Sequence, residues 1–415
     1  MSYFAIFRSS NSTMTRSWLR WYLSSKHPLE VLVIATLALL ALLCAIPATS
    51  QAAGLATLNQ RELRAPAQIK QTLASMRQQI KRQGLKYKVG YTHAMEKPRA
   101  SLLGDVDNPR ITNKSERMKA NEMASRILKQ DAEAQAAFLK QNPTVVSKYP
   151  GIFPVKPICS ASWKRFDWRT KNRLSPVREQ TCGNCWAFAA VGAYEAAYKM
   201  RNGAFVDSSE QYINDCASAD SGSDAGSCSG GLAVPALQHM VRVGNAKESD
   251  APYTGTNLAC TNPTTPYHAI AWGYVNPAQD FATRQQIKQA LCEYGPLTTR
   301  LRVVSGNLFA YAGGVYNEPV ASDSDGGGHA VVIAGWDDDA GAWLIKNSWG
   351  TDWGGDEQGY GWIGYNSNRI GRHTAWIKAK SRFYVLKPEL MLQKQPVIKP
   401  QPIQPEILRT QPIQR

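Results

Sequence analysis

The chain has 415 residues, 43% of them hydrophobic, which is enough apolar material for two or three packed domains and excludes a disordered or fibrous protein. Its formal net charge of +16 invites a nucleic-acid reading. Counted by segment, the balance is +3 over residues 1–52, +10 over 53–150, zero over 151–385 and +3 over 386–415, so the region that carries the chemistry below lacks the cationic excess a polyanion groove needs, and no nucleic acid is expected as partner.

At the N-terminus Arg8, Arg16, Arg20 and Lys26 precede an apolar run from Val31 to Ile46, with small residues at Ser50 and Ala52 where a signal would be cut. Residues 1–52 are therefore expected to be a secretory signal, with an uncleaved anchor as the alternative and the one route to a membrane. Export to an oxidising compartment leaves seven cysteines after Cys44: Cys159, Cys182, Cys185, Cys216, Cys228, Cys260 and Cys292. An odd number leaves one thiol unpaired.

Residues 53–158 are polar and helical in pattern. Ile69, Leu73, Met76 and Ile80 share one helix face, and Asn113, with Glu116 three residues on, predicts the cap of a second helix running towards Phe138 and Leu139 and ending at Asn142-Pro143. Amphipathic helices without a core of their own need a surface. They are read as a pro-segment, with a separate helical domain as the alternative. From Cys159 to about Pro266 the chain is rich in helix and loop. From about Tyr267 to Leu386 it turns to strands, with Val331 to Ala334 and Ala342 to Ile345 joined through the Asp337-Asp338-Asp339 turn. An α half followed by a β half predicts an α+β fold with a cleft between the halves. The tail, 386–415, repeats Gln-Pro at Gln395, Gln401 and Gln411, which suits an extended spacer or a docking segment.

The chemistry lies in three separated stretches. Gln180-Thr-Cys-Gly-Asn-Cys185-Trp-Ala-Phe opens a run, Trp186 to Met200, that is apolar on every face and stops at Asn202-Gly203. Such a run is a buried helix with Cys185 at its N-terminus, where unpaired N–H groups and the dipole favour a thiolate. His329 follows 144 residues later in Gly326-Gly-Gly-His-Ala-Val-Val-Ile, and Asn347 another 18 on in Lys346-Asn-Ser-Trp-Gly-Thr-Asp-Trp353-Gly. The Asn347 oxygen can orient the imidazole while Trp349 shields that bond from water. Taken singly, a structural cysteine, a satisfied polar histidine and a turn asparagine are ordinary; together they form a Cys-His-Asn constellation.

These stretches resemble those of the papain and cathepsin family of cysteine peptidases over about residues 163–385, with further matches at Asp167-Trp168-Arg169, at Ser209-Glu210-Gln211 leading to Cys216, and at Cys228-Ser-Gly-Gly. The resemblance implies a papain-like peptidase domain over 159–385, with a helix-rich left half, a β-barrel-like right half and the active-site cleft between them. It implies Cys185 as nucleophile, His329 as general base, Asn347 as its orienting partner, and Gln180 with the Cys185 backbone N–H as the oxyanion hole. Substrate binding is expected at Gly230, Gly231, Leu232, Ala233, Gly328 and Trp349, with the Gly328 side open and uncharged and the second subsite tolerant of apolar or aromatic residues. No metal or cofactor is implied.

The resemblance also implies disulfides Cys182–Cys228 and Cys216–Cys260. Cys159 and Cys292 are left over and are expected to pair. Two departures stand out: one residue, Thr181, separates Gln180 from Cys182 where the family has two, and its long interspersed helix motif is not found in residues 53–150. The resulting expectation is an exported, monomeric endopeptidase made as a zymogen. It would act on protein or peptide substrates, be inhibited by its own pro-segment, whose helices cover the cleft in the reverse sense to a substrate, and mature by cleavage between 150 and 165. A non-catalytic scaffold on the same fold and an acyl transferase are the alternatives.

Overall fold

The computed structural model describes residues 54–384 except 109–111, 154–156, 320–321 and 323. The expected export segment and the Gln-Pro tail lie outside the described residues. After a helix over 54–64, helix α1 (Ala67–Arg82) buries Leu73 and Ile80 and half-buries Ile69 and Met76, the stripe that the spacing predicts. Strand β1 (Tyr87–Val89) follows. Helix α2 (Lys114–Gln141) starts where the Asn113 side chain accepts the Glu116 N–H at 3.0 Å and stops at Asn142.

Neither helix has a core of its own. Leu73, Ile80, Tyr87, Leu102 and Ala124 sit in the same apolar core as the sheet of the following domain. On α2 the Asn121 carboxamide donates to Tyr274 O at 2.7 Å and accepts from Tyr274 N at 2.8 Å, so it continues the hydrogen bonding of strand β3 (Ala269–Tyr274).

The central helix α3 (Cys185–Asn202) is buried from Cys185 through Ala197. Alanines and Gly192 let it ride close to the sheet, since a Cβ at Gly192 would meet Val332 Cγ2 at 3.3 Å. It ends at Gly203 in the left-handed region, φ 72°, where a residue without Cβ is favoured. Helices α4 (Glu210–Cys216) and α5 (Ala233–Arg242) pack with it around Trp186, Tyr194, Leu237 and Met240.

Besides a two-residue hairpin pairing Gly226–Ser227 with Gly230–Gly231, the strands are β2 (Arg165–Asp167), β3, β4 (Leu297–Val303), β5 (Tyr311–Tyr316), β6 (Gly327–Asp337), β7 (Ala342–Lys346), β8 (Tyr360–Gly364) and β9 (Arg372–Ala379). Together with β1 they form one sheet in the order β1-β5-β8-β7-β6-β4-β9-β3, with β2 paired to β6. Pairing is antiparallel except between β5 and β8. The order is open, with β1 at one edge and β3 at the other. The expected barrel-like half is therefore corrected to an open sheet, because its two edge strands pair with different neighbours and not with each other. A papain-like α+β arrangement of helices against this sheet remains.

Three disulfides close the framework: Cys159–Cys292, Cys182–Cys228 and Cys216–Cys260. Cys185 is the free cysteine among the described residues. Cys159 and Cys292 should resist alkylation in peptide mapping without reduction. Replacing both by serine should cost about 2–4 kcal/mol, read as a lower Tm. A thiol that alkylates at either position contradicts the pairing.

Candidate active site

Cys185 opens α3 and is fully buried. Its sulfur accepts the Ala330 N–H at 3.4 Å, so the first turn of α3 meets β6 at the residue after His329. Asn184 before it makes no side-chain cap, and its oxygen accepts the Tyr253 hydroxyl at 3.2 Å instead. The helix N-terminus is thereby left to the sulfur and the cleft.

His329 lies on β6 and Asn347 directly follows β7, the neighbouring strand. Nε2 of His329 is 2.8 Å from Asn347 Oδ1, and the same oxygen accepts the Ser348 backbone N–H at 2.8 Å. A backbone N–H can only donate, which fixes the asparagine atom as oxygen and makes Nε2 the donor. The tautomer follows: Nδ1 carries the lone pair, and it has no hydrogen-bond partner of good geometry. Trp349 stacks on the ring, centroids 4.4 Å apart, and covers the Asn347 bond.

Gln180 reaches the same place despite the shortened link. It is fully buried, its Nε2 donates to Ser101 O and Cys182 O at 2.9 Å each, and its Oε1 accepts the Ser348 hydroxyl at 2.7 Å. Ser348 thus joins Gln180 to Asn347. In the sequence, nothing but its position beside Asn347 marks Ser348.

A short helix, Arg99–Leu102, enters the cleft with its last residues, and the chain continues through it over residues 103–106, extended from Leu103 on. Leu102 O accepts the Trp349 indole N–H at 3.3 Å, Gly231 N donates to Gly104 O at 2.8 Å, Asp105 N donates to Gly328 O at 3.1 Å, and Val106 N donates to Gly231 O at 3.1 Å. The bridge between Asp105 and Gly231 is parallel. The contacts are almost wholly backbone and need glycine: a Cβ at Gly104 would overlap the Gly183 carbonyl, and one at Gly328 the Asp105 carbonyl. Of the expected substrate-binding residues, Gly230, Gly231, Gly328 and Trp349 touch this segment, while Leu232 and Ala233 are buried behind it at the start of α5. The end of this short helix and the run 103–106 fill the cleft, and the long helices α1 and α2 do not.

Burial decides the protonation of the covered pair. It pushes the Cys185 thiol up to about 12, with the Asp105 charge adding to it and the N–H groups of Ala330, Gly104 and Trp186 opposing it. It drives the His329 ring down to about 4 against the Asn347 bond and the nearby Leu102 carbonyl. With residues 101–106 in place, burial favours the neutral thiol and the neutral imidazole. The helix N-terminus favours a thiolate, but desolvation under the segment outweighs it.

The Gly328 side of the cleft is not uncharged, which corrects the expectation. Arg300 on β4 stands opposite Ala330, is nearly buried, and bonds Asp105 Oδ2 at 2.6 Å and Asp107 Oδ1 at 2.7 Å. Behind it His373, in the left-handed region at φ 47°, has Nδ1 3.3 Å from Arg300 Nη1 and Nε2 3.2 Å from Arg117 Nη1 of α2. A charged side chain facing inward from the strand Leu-Thr-Thr-Arg-Leu-Arg-Val was the missed signal.

A model of the papain family of cysteine proteases matches residues 163–380. The chain belongs to this family. It is 32% identical over 246 residues to cathepsin O of Homo sapiens, covering 58% of this chain and 73% of that one. It is 34% identical over 206 residues to digestive cysteine proteinase 1 of Homarus americanus, covering 49% and 62%. It is also 34% identical over 211 residues to the viral cathepsin of Spodoptera litura multicapsid nucleopolyhedrovirus, covering 50% and 58%, so the chain spans less than two thirds of the latter two relatives. In fold it is similar to digestive procathepsin L2 proteinase from Tenebrio molitor larval midgut, with a TM-score of 0.55 and 24% identity over 79% of this chain and 92% of that one.

Burial and the positive charge of Arg300 and Arg372 hold His373 down to about 4, with Asp280 opposing and Arg117 adding. The folded ring stays neutral while the unfolded one takes a proton below about 6.5, so its contribution to stability is full above that pH and lost as pH falls towards 4. His373→Asn suits the left-handed backbone and removes the titration. Between pH 7 and 4 the wild type should lose up to about 3 kcal/mol more than this variant, measured by denaturant unfolding; equal losses contradict the assignment.

Proposed function

We propose that the chain is the precursor of an exported cysteine endopeptidase, with residues 53–158 as its inhibitory pro-segment and 159–385 as the peptidase domain. One observation carries the reading: the Cys185 sulfur meets the Gly104 N–H, the His329 ring the Leu102 carbonyl and the Gln180 amide the Ser101 carbonyl, so one stretch of the same chain covers all three. In family members a thiol, an imidazole and a carboxamide so arranged hydrolyse peptide bonds.

Once residues 101–106 leave, water reaches the pair and the desolvation that keeps it neutral is relieved. The Cys185 proton passes to His329 Nδ1, and the thiolate attacks the scissile carbonyl carbon to form an S–C bond. The oxygen that becomes negative is held by the Cys185 backbone N–H and by Gln180 Nε2, the group that now donates to Ser101 O. His329 gives its proton to the departing amine as the C–N bond breaks. It then takes one from water, which attacks the thioester and releases the acid. Asn347 keeps Nε2 as the donor throughout, so that Nδ1 alone exchanges protons.

Inhibition without cleavage follows from chain sense. A residue bonded to Gly231 in antiparallel register exchanges both hydrogen bonds with it. Asp105 lies parallel, its two neighbours make the bonds, and its peptide groups are presented in the opposite polarity. Three disulfides among the described residues support an oxidising compartment.

Incubating the purified precursor at mildly acidic pH with reductant should generate a new N-terminus between 150 and 165 and, with it, peptidase activity. A thiol-directed epoxide should label the product stoichiometrically, and Cys185→Ala should abolish both. Full activity of the uncleaved chain contradicts the pro-segment reading; no label and no cleavage contradict the peptidase itself. Gly104→Ala, whose Cβ clashes with Gly183, should raise the labelling rate of Cys185 in the uncleaved precursor severalfold. An unchanged rate contradicts the role of residues 101–106.

A further inference from the structure

We propose that Arg300 makes the subsite beside Gly231 a carboxylate pocket, so that the mature enzyme favours substrates with Asp or Glu as the second residue before the scissile bond. The inference rests on the peptidase reading above. It starts from what the pro-segment places there. Asp105 is the residue bracketed by the Gly231 bonds, and its side chain is buried against Arg300, whose Nε donates to Oδ2 at 2.6 Å. The same guanidinium donates to Asp107 Oδ1 at 2.7 Å and to Val106 O at 3.0 Å. Three successive residues of the segment therefore share one cation.

A substrate in the opposite sense that exchanges both bonds with Gly231 brings one side chain to the position Asp105 occupies. That residue is one step from the reaction, because Gly104, the neighbour of Asp105, has its backbone N–H on the Cys185 sulfur. When the segment departs, Arg300 loses Asp105 and Asp107, the carboxylates that pair with it among the described residues. His373 stays beside it and Arg372 adds a second positive charge, with Asp280 facing His373 and Arg372 from the far side. A guanidinium that has lost both anions disfavours an apolar side chain beside it and favours a carboxylate, which takes up the Nε–H that Asp105 releases.

The activated enzyme can be profiled with fluorogenic peptides that differ at this one position. At near-neutral pH, kcat/KM for Glu and Asp should exceed that for Gln, Leu and Phe by roughly tenfold or more. Arg300→Leu should erase or invert the order, and Arg300→Lys should keep the acidic preference in weaker form. The wild-type profile decides alone if a variant does not fold. Cleavage that favours Leu or Phe, or does not distinguish Glu from Gln, overturns the carboxylate pocket and leaves the peptidase reading intact. Absence of any cleavage together with absence of epoxide labelling overturns both.

Discussion

The chemistry of this protein depends on whether water reaches Cys185 and His329. Both groups sit where their ionised forms are provided for: the sulfur at the N-terminus of α3 and the ring oriented by Asn347. A thiolate and an imidazolium are nevertheless each costly to bury, and with residues 101–106 across the cleft the cost exceeds what three backbone N–H groups and one side-chain bond return. On the proposed function, the same atoms are held neutral when covered and become the components of a nucleophile when open.

That mechanism explains why the cover is built as it is. A segment that only blocked the entrance would leave solvent around the sulfur. Residues 101–106 instead pair with Gly231 and Gly328 and place Gly104 against Gly183, close enough to exclude water. The helices preceding and following this stretch share the core of the sheet through Leu73 and Ala124, and β1 extends the sheet at its edge. A cover anchored in the core is held at its ends, so the short extended stretch loses little further freedom when it lies down.

The sequence made the local events legible and left the juxtapositions hidden. The stripe of α1, the Asn113 cap, the all-round burial of α3 and the two strands around the Asp337 turn follow from periodicity and turn chemistry, which act over a few residues. Cys185, His329 and Asn347 could be named because their surroundings carry a family pattern. Which residues cross the cleft could not be read, because an extended run making backbone bonds has no periodicity to betray it. Arg300 escaped for a related reason: in a strand whose other members fit a buried sheet, an arginine signals a partner but not its identity, and Asp105 lies 195 residues away. Thr181 misled in the opposite direction. A missing residue between Gln180 and Cys182 suggests a displaced carboxamide, yet the pairing of Gln180 N with Ser348 O at 2.8 Å fixes the backbone, and the side chain reaches the site from there.

Backbone and side-chain recognition are divided within the cleft, and the division has consequences. Gly231 and Gly328 offer N–H and C=O groups that any extended peptide can meet, which gives general affinity and no selectivity. Selectivity must then come from what stands behind those bonds, and there a single charge outweighs the apolar lining. Arg300 is held in a strand and backed by His373, so it cannot swing away to solvent as an exposed arginine would. On the inference drawn above, a cation positioned beside Gly231 rewards a carboxylate. On the proposed reading the covering segment uses both layers at once, with its backbone in parallel register on Gly231 and its Asp105 on the guanidinium. Removing it exposes a polar track open to many sequences and a charged pocket that accepts few.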